Sequence, residues 1–261
     1  MKLFVIKIGG NVLDNPEALK VFLSDFASIK EPKILIHGGG KLATKIGTQL
    51  GIESNYINGR RITDRETLDL VTMVYGGLVN KQLVAGLQQH GCNAIGMTGA
   101  DGNVIKAVKR PVKDIDYGYV GDITTDSINT TLLHAVLKQN LVPVFAPLTH
   151  AEGNILNTNA DTIASVLAVA LSKHFDVRLI FCFEKKGVLR DINKADSVIH
   201  HLTKKMYDDL LGQQAFADGI LPKLENAYGA INAGVREVLI GEAVDLLKNT
   251  GQETAGTLIT V

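Results

Sequence analysis

Two short apolar runs near the N-terminus each end in glycine and each lead into a helical pattern. That repetition constrains the fold more than any other feature of the chain. Leu3–Ile8 is rich in β-formers and ends at Gly9-Gly10. A helical pattern follows from about Pro16 to Ile29, with Asn15 in the N-cap position. Lys33–Ile36 is a second short strand, ending at His37-Gly38-Gly39-Gly40. Lys41–Leu50 is again helical and is stopped by Gly51. Neighbouring strands joined by whole helices run parallel, because a tight hairpin joins only antiparallel ones. The expected class is α/β, a three-layer α/β/α sandwich around a largely parallel open sheet.

The remainder fits that class. Asn58-Gly59 is a hairpin signal. Thr63 and Glu66 stand in capping-box spacing before a long helix that runs to about His90, where Gly91 closes it. Val71, Val74, Tyr75, Leu78 and Val79 form its apolar stripe. Gly76-Gly77 in the middle costs about 1 kcal/mol per glycine relative to alanine, which implies close approach of another backbone. That backbone belongs either to the same subunit or to a second copy across a dimer interface. Asn93–Met97 is a strand, residues 103–124 read as short antiparallel strands, and Asn129–Gln139 is a helix. Leu141–Leu148 and Val177–Phe183 are buried strands flanking a helix, Asp161–Leu171, that is apolar nearly all round. Helices over Thr203–Leu211 and Leu221–Asn232 and strands over Glu237–Ile240 and Leu258–Val261 complete the pattern. A lobe boundary is expected near residue 172, giving lobes 1–172 and 173–261.

Composition removes several function classes. Lys plus Arg and Asp plus Glu each total 27, so the net charge is zero, which does not suit a dedicated nucleic-acid or membrane-surface binder. Cys92 and Cys182 make neither a disulfide framework nor a zinc pattern and read as buried reduced thiols. The N-terminal apolar run is too short for a signal peptide, and Ile163–Leu171, the longest apolar helix candidate, is short of a membrane span. The expectation is a soluble, cytoplasmic protein.

Four constellations carry chemistry. Lys7 sits inside an apolar strand near its carboxyl end, where ligands gather in open α/β sheets, and Gly9-Gly10 follows it. A lysine on an exposed strand edge is the competing reading. His37-Gly38-Gly39-Gly40 precedes a helix and makes an anion nest; His37 reads as a packed strand histidine before an acid–base group. The chain has neither GxxxxGK[ST] nor GxGxxG, which removes the P-loop and disfavours a dinucleotide-dependent dehydrogenase. Asn157-Thr158-Asn159-Ala160-Asp161 stands at the start of the apolar helix, where Asp161 is either the cap or a carboxylate that orients lysines. Asp218-Gly219-Ile220-Leu221-Pro222-Lys223 opens another helix, with Pro222 suited to its first position. A lysine in a first turn is disfavoured by the helix dipole, so Lys223 is better explained by an anionic ligand. Two lysines, two glycine nests and one carboxylate suit phosphoryl transfer, which needs positioning and charge neutralisation.

Lys7-Ile8-Gly9-Gly10, His37 to Gly40, Gly59-Arg60-Arg61-Ile62-Thr63-Asp64, Asn80-Lys81, Asn157 to Asp161, Gly219 to Lys223 and Gly256-Thr257-Leu258-Ile259 together resemble the amino acid kinase family in order and spacing over essentially the whole chain. Within it they are most similar to the branch acting on N-acetylglutamate in arginine biosynthesis. The resemblance implies the fold of that family and an ATP- and Mg²⁺-dependent transfer to the γ-carboxylate of an N-acylated L-glutamate. It implies that Lys7 and Lys223 neutralise the phosphates and that Asp161 holds both lysines. Gly9, Gly10, Gly38 and Gly39 would donate amides to phosphate and substrate, and Arg61 and Asn157 would bind the acylated amino acid. Glu184 stands where the family usually carries aspartate, so Glu184 and Gly187 are expected beside the nucleotide in the C-terminal lobe, with Mg²⁺ carried by ATP and no protein metal site. Arginine-inhibited hexameric members carry an extra N-terminal helix, and this chain begins at its first strand. The implied assembly is a homodimer through the 64–90 helix, without arginine feedback. The acyl group is open between acetyl and succinyl, with Arg60 a candidate cation for a second carboxylate. A non-catalytic nucleotide or amino-acid sensor is the reading from another class; retention of Lys7, Asp161 and Lys223 argues against it.

Overall fold

The structure is a computed structural model that describes the chain except residues 192, 193, 195, 213–219 and 261 and the side chain of residue 222. Asp218 and Gly219 of the fourth constellation, and the last residue of the expected terminal strand, lie outside the described residues.

The repeated strand–glycine–helix unit forms as its sequence dictates. β1 (Lys2–Ile8) leads through α1 (Gly10–Leu13) and α2 (Pro16–Ser28) to β2 (Lys33–His37). The Asn15 side chain caps α2, accepting from the amides of Glu17 and Ala18 at 3.1 Å. α3 (Gly40–Leu50) ends at Gly51, whose φ of 77° is the left-handed stop. β3 (Tyr56–Ile57) and β4 (Arg60–Arg61) form a hairpin whose turn residues Asn58 and Gly59 have φ 51° and 70°. The long helix follows as α4 (Arg65–Val71), a π-helical stretch (Thr72–Val79) and α5 (Asn80–Gln89).

Next come β5 (Ala94–Met97), the antiparallel pair β6 (Val108–Lys109) and β7 (Gly121–Asp122), α6 (Thr130–Lys138) and β8 (Val142–Phe145). β9 (Leu148–Ala151) and β10 (Asn154–Asn157) pair antiparallel before α7 (Ala160–Ser172) and β11 (Asp176–Phe183). β12 (His201–Leu202), α8 (Lys204–Gly212), α9 (Leu221–Asn232), β13 (Glu237–Glu242), α10 (Leu246–Thr250) and β14 (Thr257–Ile259) follow.

Eight of the described strands form one sheet in the order β12-β14-β13-β11-β1-β2-β8-β5, parallel throughout except between β13 and β14. The sheet is continuous across the expected lobe boundary, since β1 pairs with β2 on one side and β11 on the other. That strand is where the connections turn in opposite directions, so a crevice opens beyond its carboxyl end.

The period of two along each strand sorts the core into two layers. Leu3 and Val5 join Ile34, Ile36, Leu179 and Phe181 against Ile163, Leu167 and Leu171 of α7 and Leu224 and Ile231 of α9. Phe4, Ile6 and Ile8 join Leu35, Val144 and Ile180 against Phe22 and Phe26 of α2 and Leu83 and Leu87 of α5. Lys7 therefore belongs to the face covered by α7 and α9. Both thiols are buried and unpaired in disulfides, and burial pushes Cys182 up to about 12, which keeps it protonated and inert.

Four local expectations are corrected. The helix cap is Asp64, not Thr63: the Asp64 carboxylate accepts from the Thr67 amide at 2.8 Å. The strand expected to reach Leu148 stops at Phe145, because the chain turns at Ala146-Pro147 and Leu148 begins a separate hairpin. The Arg65–Gln89 helix is longer than Ile163–Leu171, and by length and composition it could cross a membrane. One of its faces is packed in the second core layer.

The fourth correction is Leu78, which is 41% exposed and off the stripe. The buried residues Val71, Tyr75, Val79, Leu83 and Leu87 instead recur every fourth position. In an α-helix four residues overshoot one turn by about 40°. A π-helix, at about 4.4 residues per turn, falls short by about 30°. The π stretch thus cancels the drift and keeps all five on one face.

Candidate active site

The two lysines and the carboxylate converge from three elements. The cap of α7 is Asn159, whose side chain accepts from the Thr162 amide at 3.0 Å. This leaves Asp161, the second helical residue, free for the sheet. Lys7 Nζ lies 2.8 Å from Asp161 Oδ1 and Lys223 Nζ 3.3 Å from Oδ2. The first contact is an ion pair without aligned hydrogen-bond geometry; the second is also a hydrogen bond. The three side chains are only 13%, 19% and 21% exposed. Burial opposes ionisation of Asp161, but Lys7 and Lys223 together outweigh it and hold the carboxyl below its ordinary value. Lys223 is the third residue of α9, and Pro222 takes the second position rather than the first. The Lys223 ammonium also lies 5.3 Å from the centre of the Phe183 ring, at the carboxyl end of β11.

Adjacency of β1 and β2 brings the glycine segments together, with Ile8 opposite His37 in the register. A Cβ on Gly9 would sit 3.6 Å from the Lys7 amine, so this loop and the lysine face the same space. The Gly38 amide donates to the Ile8 carbonyl at 3.1 Å and ties the two strand ends. Gly39 caps α3 at φ 149° and ψ 7°, a conformation open to glycine. A Cβ there would also come within 2.9 Å of the Tyr75 ring.

Gly38, Gly39, Arg61 and Asn157 all line one cavity of about 210 Å³. Ala160, next to Asp161, lines it as well. Arg61 is 6% exposed and already anchored: it donates to Ser54, to the Gly40 carbonyl at 2.9 Å and to Thr44 at 2.9 Å, and it stacks 4.8 Å from the Tyr56 ring. Three of its five N–H groups are thereby assigned, which fixes the plane of the fork and leaves two for a ligand. Asn157 donates to Thr63 Oγ1 at 3.0 Å, so the threonine expected to cap the helix instead orients a cavity residue. Glu184 is exposed just after Phe183. Gly187 is buried, where a Cβ would lie 2.6 Å from Thr257 Oγ1, so packing alone also requires glycine there.

Thr158, inside the third constellation, lines the same cavity, as do Tyr75 and Arg110, which carry no site role in the sequence reading. The four-residue repeat of the long helix is the signal that would have found Tyr75. Arg110 has no local signal; it reaches the cavity from the β6–β7 hairpin, paired with Asp122.

His37 is fully buried and holds neighbouring elements together. Its Nδ1 meets the Gly38 carbonyl at 2.7 Å, and its Nε2 meets Asn80 Nδ2 at 3.2 Å, which also donates to the Val144 carbonyl at 2.9 Å. Asn80 thus links the long helix to β2 and β8. Burial lowers His37 from 6.5 to about 4. Between those values the unfolded chain binds a proton that the folded chain does not. The stabilisation is therefore complete above about pH 6.5 and is lost as the pH falls towards 4, by about 3 kcal/mol. Urea unfolding at stepped pH should show this limb, and it should flatten in His37→Gln.

The matches to known proteins agree with this geometry. Residues 2–242 match the model of the amino acid kinase family. An acetylglutamate kinase of Bacteroides thetaiotaomicron is 56% identical over 251 residues, 96% of this chain and 97% of that protein. One of Phocaeicola vulgatus is 54% identical over 259 residues, 99% and 98% of the two chains. A solved structure, smu.665 of Streptococcus mutans, superposes with a TM-score of 0.77 at 30% identity, covering 99% of this chain and 98% of that one. With the parallel sheet, the lysine-carboxylate cluster beyond its carboxyl edge and a match running nearly end to end, the chain belongs to the amino acid kinase family.

Proposed function

We infer that this chain transfers the γ-phosphoryl group of ATP to the γ-carboxylate of an N-acylated L-glutamate, N-acetyl-L-glutamate foremost, as the second step of arginine biosynthesis. The observation that carries the reading is the Lys7–Asp161–Lys223 cluster beside a cavity that holds an anchored arginine. The likeness to acetylglutamate kinases over nearly the whole chain supports the choice of acceptor.

A side-chain carboxyl group with an ordinary value near 4.3 is ionised at neutral pH. One of its oxygens attacks the γ-phosphorus, the new O–P bond forms, and the bond to the β,γ-bridging oxygen breaks with its electron pair leaving on ADP. No proton moves, so no general base is required. The protein's work is to gather negative charges that repel one another. In this reading Lys7 and Lys223 supply the positive charge and Asp161 fixes where it stands. Gly9 and Gly10 border the phosphates, with Glu184 and Gly187 towards the nucleotide. Arg61 clamps the α-carboxylate, with Gly38, Gly39 and Asn157 around the same substrate. Mg²⁺ enters as the ATP complex, in the cytoplasm. Residues 1–172 would bind the acceptor and residues 173–261 the nucleotide.

One observation favours an acyl group that ends in a carboxylate, as in N-succinyl-L-glutamate. Arg60 and Arg110 line the acceptor cavity and also a neighbouring one of about 470 Å³. Arg61 is assigned to the α-carboxylate and Arg110 is paired with Asp122, which leaves Arg60 for a second carboxylate. ATP-dependent acyl phosphate formation, trapped with hydroxylamine, tests both readings when the acetyl and succinyl substrates run in parallel with free glutamate as control. Turnover on either acylated compound supports the kinase, and the ratio of kcat/KM values identifies the acyl group. Silence on both, with ATP still bound, returns the sensor reading.

Assembly as a homodimer through the 64–90 helix belongs to the same proposal. Met73 and Leu78 are 58% and 41% exposed on that helix, and Gly77 beside them lets another backbone approach. Sedimentation should find dimers that Met73→Asp converts to monomers. A monomeric unaltered protein would overturn the assignment.

A further inference from the structure

We propose that Tyr75 is a positioning residue for acceptor binding, delivered to the site by the π-helical stretch, where its ring buttresses the Gly39 turn and its hydroxyl stands beside Gly40, whose carbonyl anchors Arg61. The inference rests on the acylglutamate kinase reading.

The geometry starts from the helix. Without the π stretch, the four-residue spacing of Val71, Tyr75 and Val79 would rotate progressively off the core-facing side. With it, Tyr75 is 5% exposed and lines the acceptor cavity. π-helical turns are uncommon and concentrate at functional sites, because a widened turn is less stable than an α-turn unless surrounding contacts offset the difference. Here those contacts lead to the acceptor cavity. Ring atoms Cδ1 and Cε1 stand 2.9 Å and 3.1 Å from where a Cβ on Gly39 would be, so the ring covers that glycine closely. Its hydroxyl faces Gly40, 4.0 Å from a Cβ built there. The Gly40 carbonyl is one of the acceptors that anchors Arg61. Burial pushes the Tyr75 phenol up, and the nearby Arg61 charge acts against that rise. Tyr75 thus covers the glycine turn and stands beside the residue whose carbonyl anchors the arginine assigned to the acceptor.

Steady-state kinetics on Tyr75→Phe and Tyr75→Leu, with the acceptor and ATP varied separately, tests the assignment. Phe keeps the ring on Gly39 and loses the hydroxyl. Its acceptor KM should rise about tenfold, with kcat and the KM for ATP little changed and an unaltered Tm. Leu removes the ring as well, so kcat should also fall. A Phe variant with an unchanged acceptor KM overturns the assignment, as does an equal rise in both KM values. Should the Leu variant not fold, the Phe variant alone decides. Silence of the unaltered enzyme on every acylated glutamate overturns both this inference and the function it rests on; an active enzyme with an unchanged Phe variant overturns the role of Tyr75 alone.

Discussion

Asp161→Ala is expected to lower kcat by about a thousandfold. The carboxylate bridges Lys7 at 2.8 Å and Lys223 at 3.3 Å in a site where all three side chains are largely enclosed. Removing it leaves two ammonium groups facing each other without compensation. Loss of one partner from an enclosed ion-pair network typically costs about 3–5 kcal/mol. Each 1.36 kcal/mol corresponds to about a factor of ten in rate. Either lysine then swings away or releases its proton, and the transferred phosphoryl group loses its fixed cations. Asp161→Asn retains the shape without the charge and should be nearly as impaired. Lys223→Ala removes one cation of two, so its kcat should fall less, about a hundredfold, with a modest effect on ATP binding. Single-turnover acyl phosphate formation with saturating ATP measures the series. Near-native turnover in Asp161→Asn would show that the lysines need no anionic bridge.

The second large effect is expected from Arg61→Ala, a fall of about a thousandfold in kcat/KM for the acylated glutamate, borne mostly by KM. A planar guanidinium held by Ser54, the Gly40 carbonyl, Thr44 and the Tyr56 ring is fixed before the substrate arrives. Losing a pre-positioned, charge-assisted contact typically costs about 2–5 kcal/mol. Arg61→Lys should not restore binding, because an ammonium cannot satisfy those three acceptors and a carboxylate in one plane. The KM for ATP should stay within about twofold. An unchanged acceptor KM would remove Arg61 from the substrate site.

Much of the candidate site is legible in the sequence because its chemistry is written in local patterns. A lysine inside an apolar strand, glycines at strand ends and a lysine in a first turn are each locally unfavourable, and each proved to sit at the crevice beyond β1. The elements were legible for the same reason: hydrophobic period, Asn15 as a cap, and Gly51 and Gly91 at positive φ. What was misread depended on contacts between distant segments. Thr63 and Asp64 are both good caps by type. Asp64 caps and Thr63 turns inward, because Asn157, 94 positions away, donates to its hydroxyl. Asp161 was ambiguous between cap and bridge until Asn159 took the cap.

The π stretch shows where the boundary falls. Its sequence cause, apolar residues at every fourth position from Val71 to Leu87, is plain in the chain. An ordinary α-helix would carry the same residues with Leu78 turned inward, and local energies favour it. The choice is made by the sheet and α2, which offer a core on one side of the helix, and by the glycine turn at Gly39, which receives the Tyr75 ring. The sequence by itself determined the strand–helix alternation and the separation of Lys7 from Ile6 and Ile8 by strand alternation, because periodicity acts within a few residues. Only the tertiary structure decided that Lys7, Asp161 and Lys223 meet, and that Arg61, Asn157, Tyr75 and Arg110 share one cavity. Those residues come from segments up to about 216 positions apart, and the free energy of a charge contact depends on separation and burial in space, which no local pattern encodes.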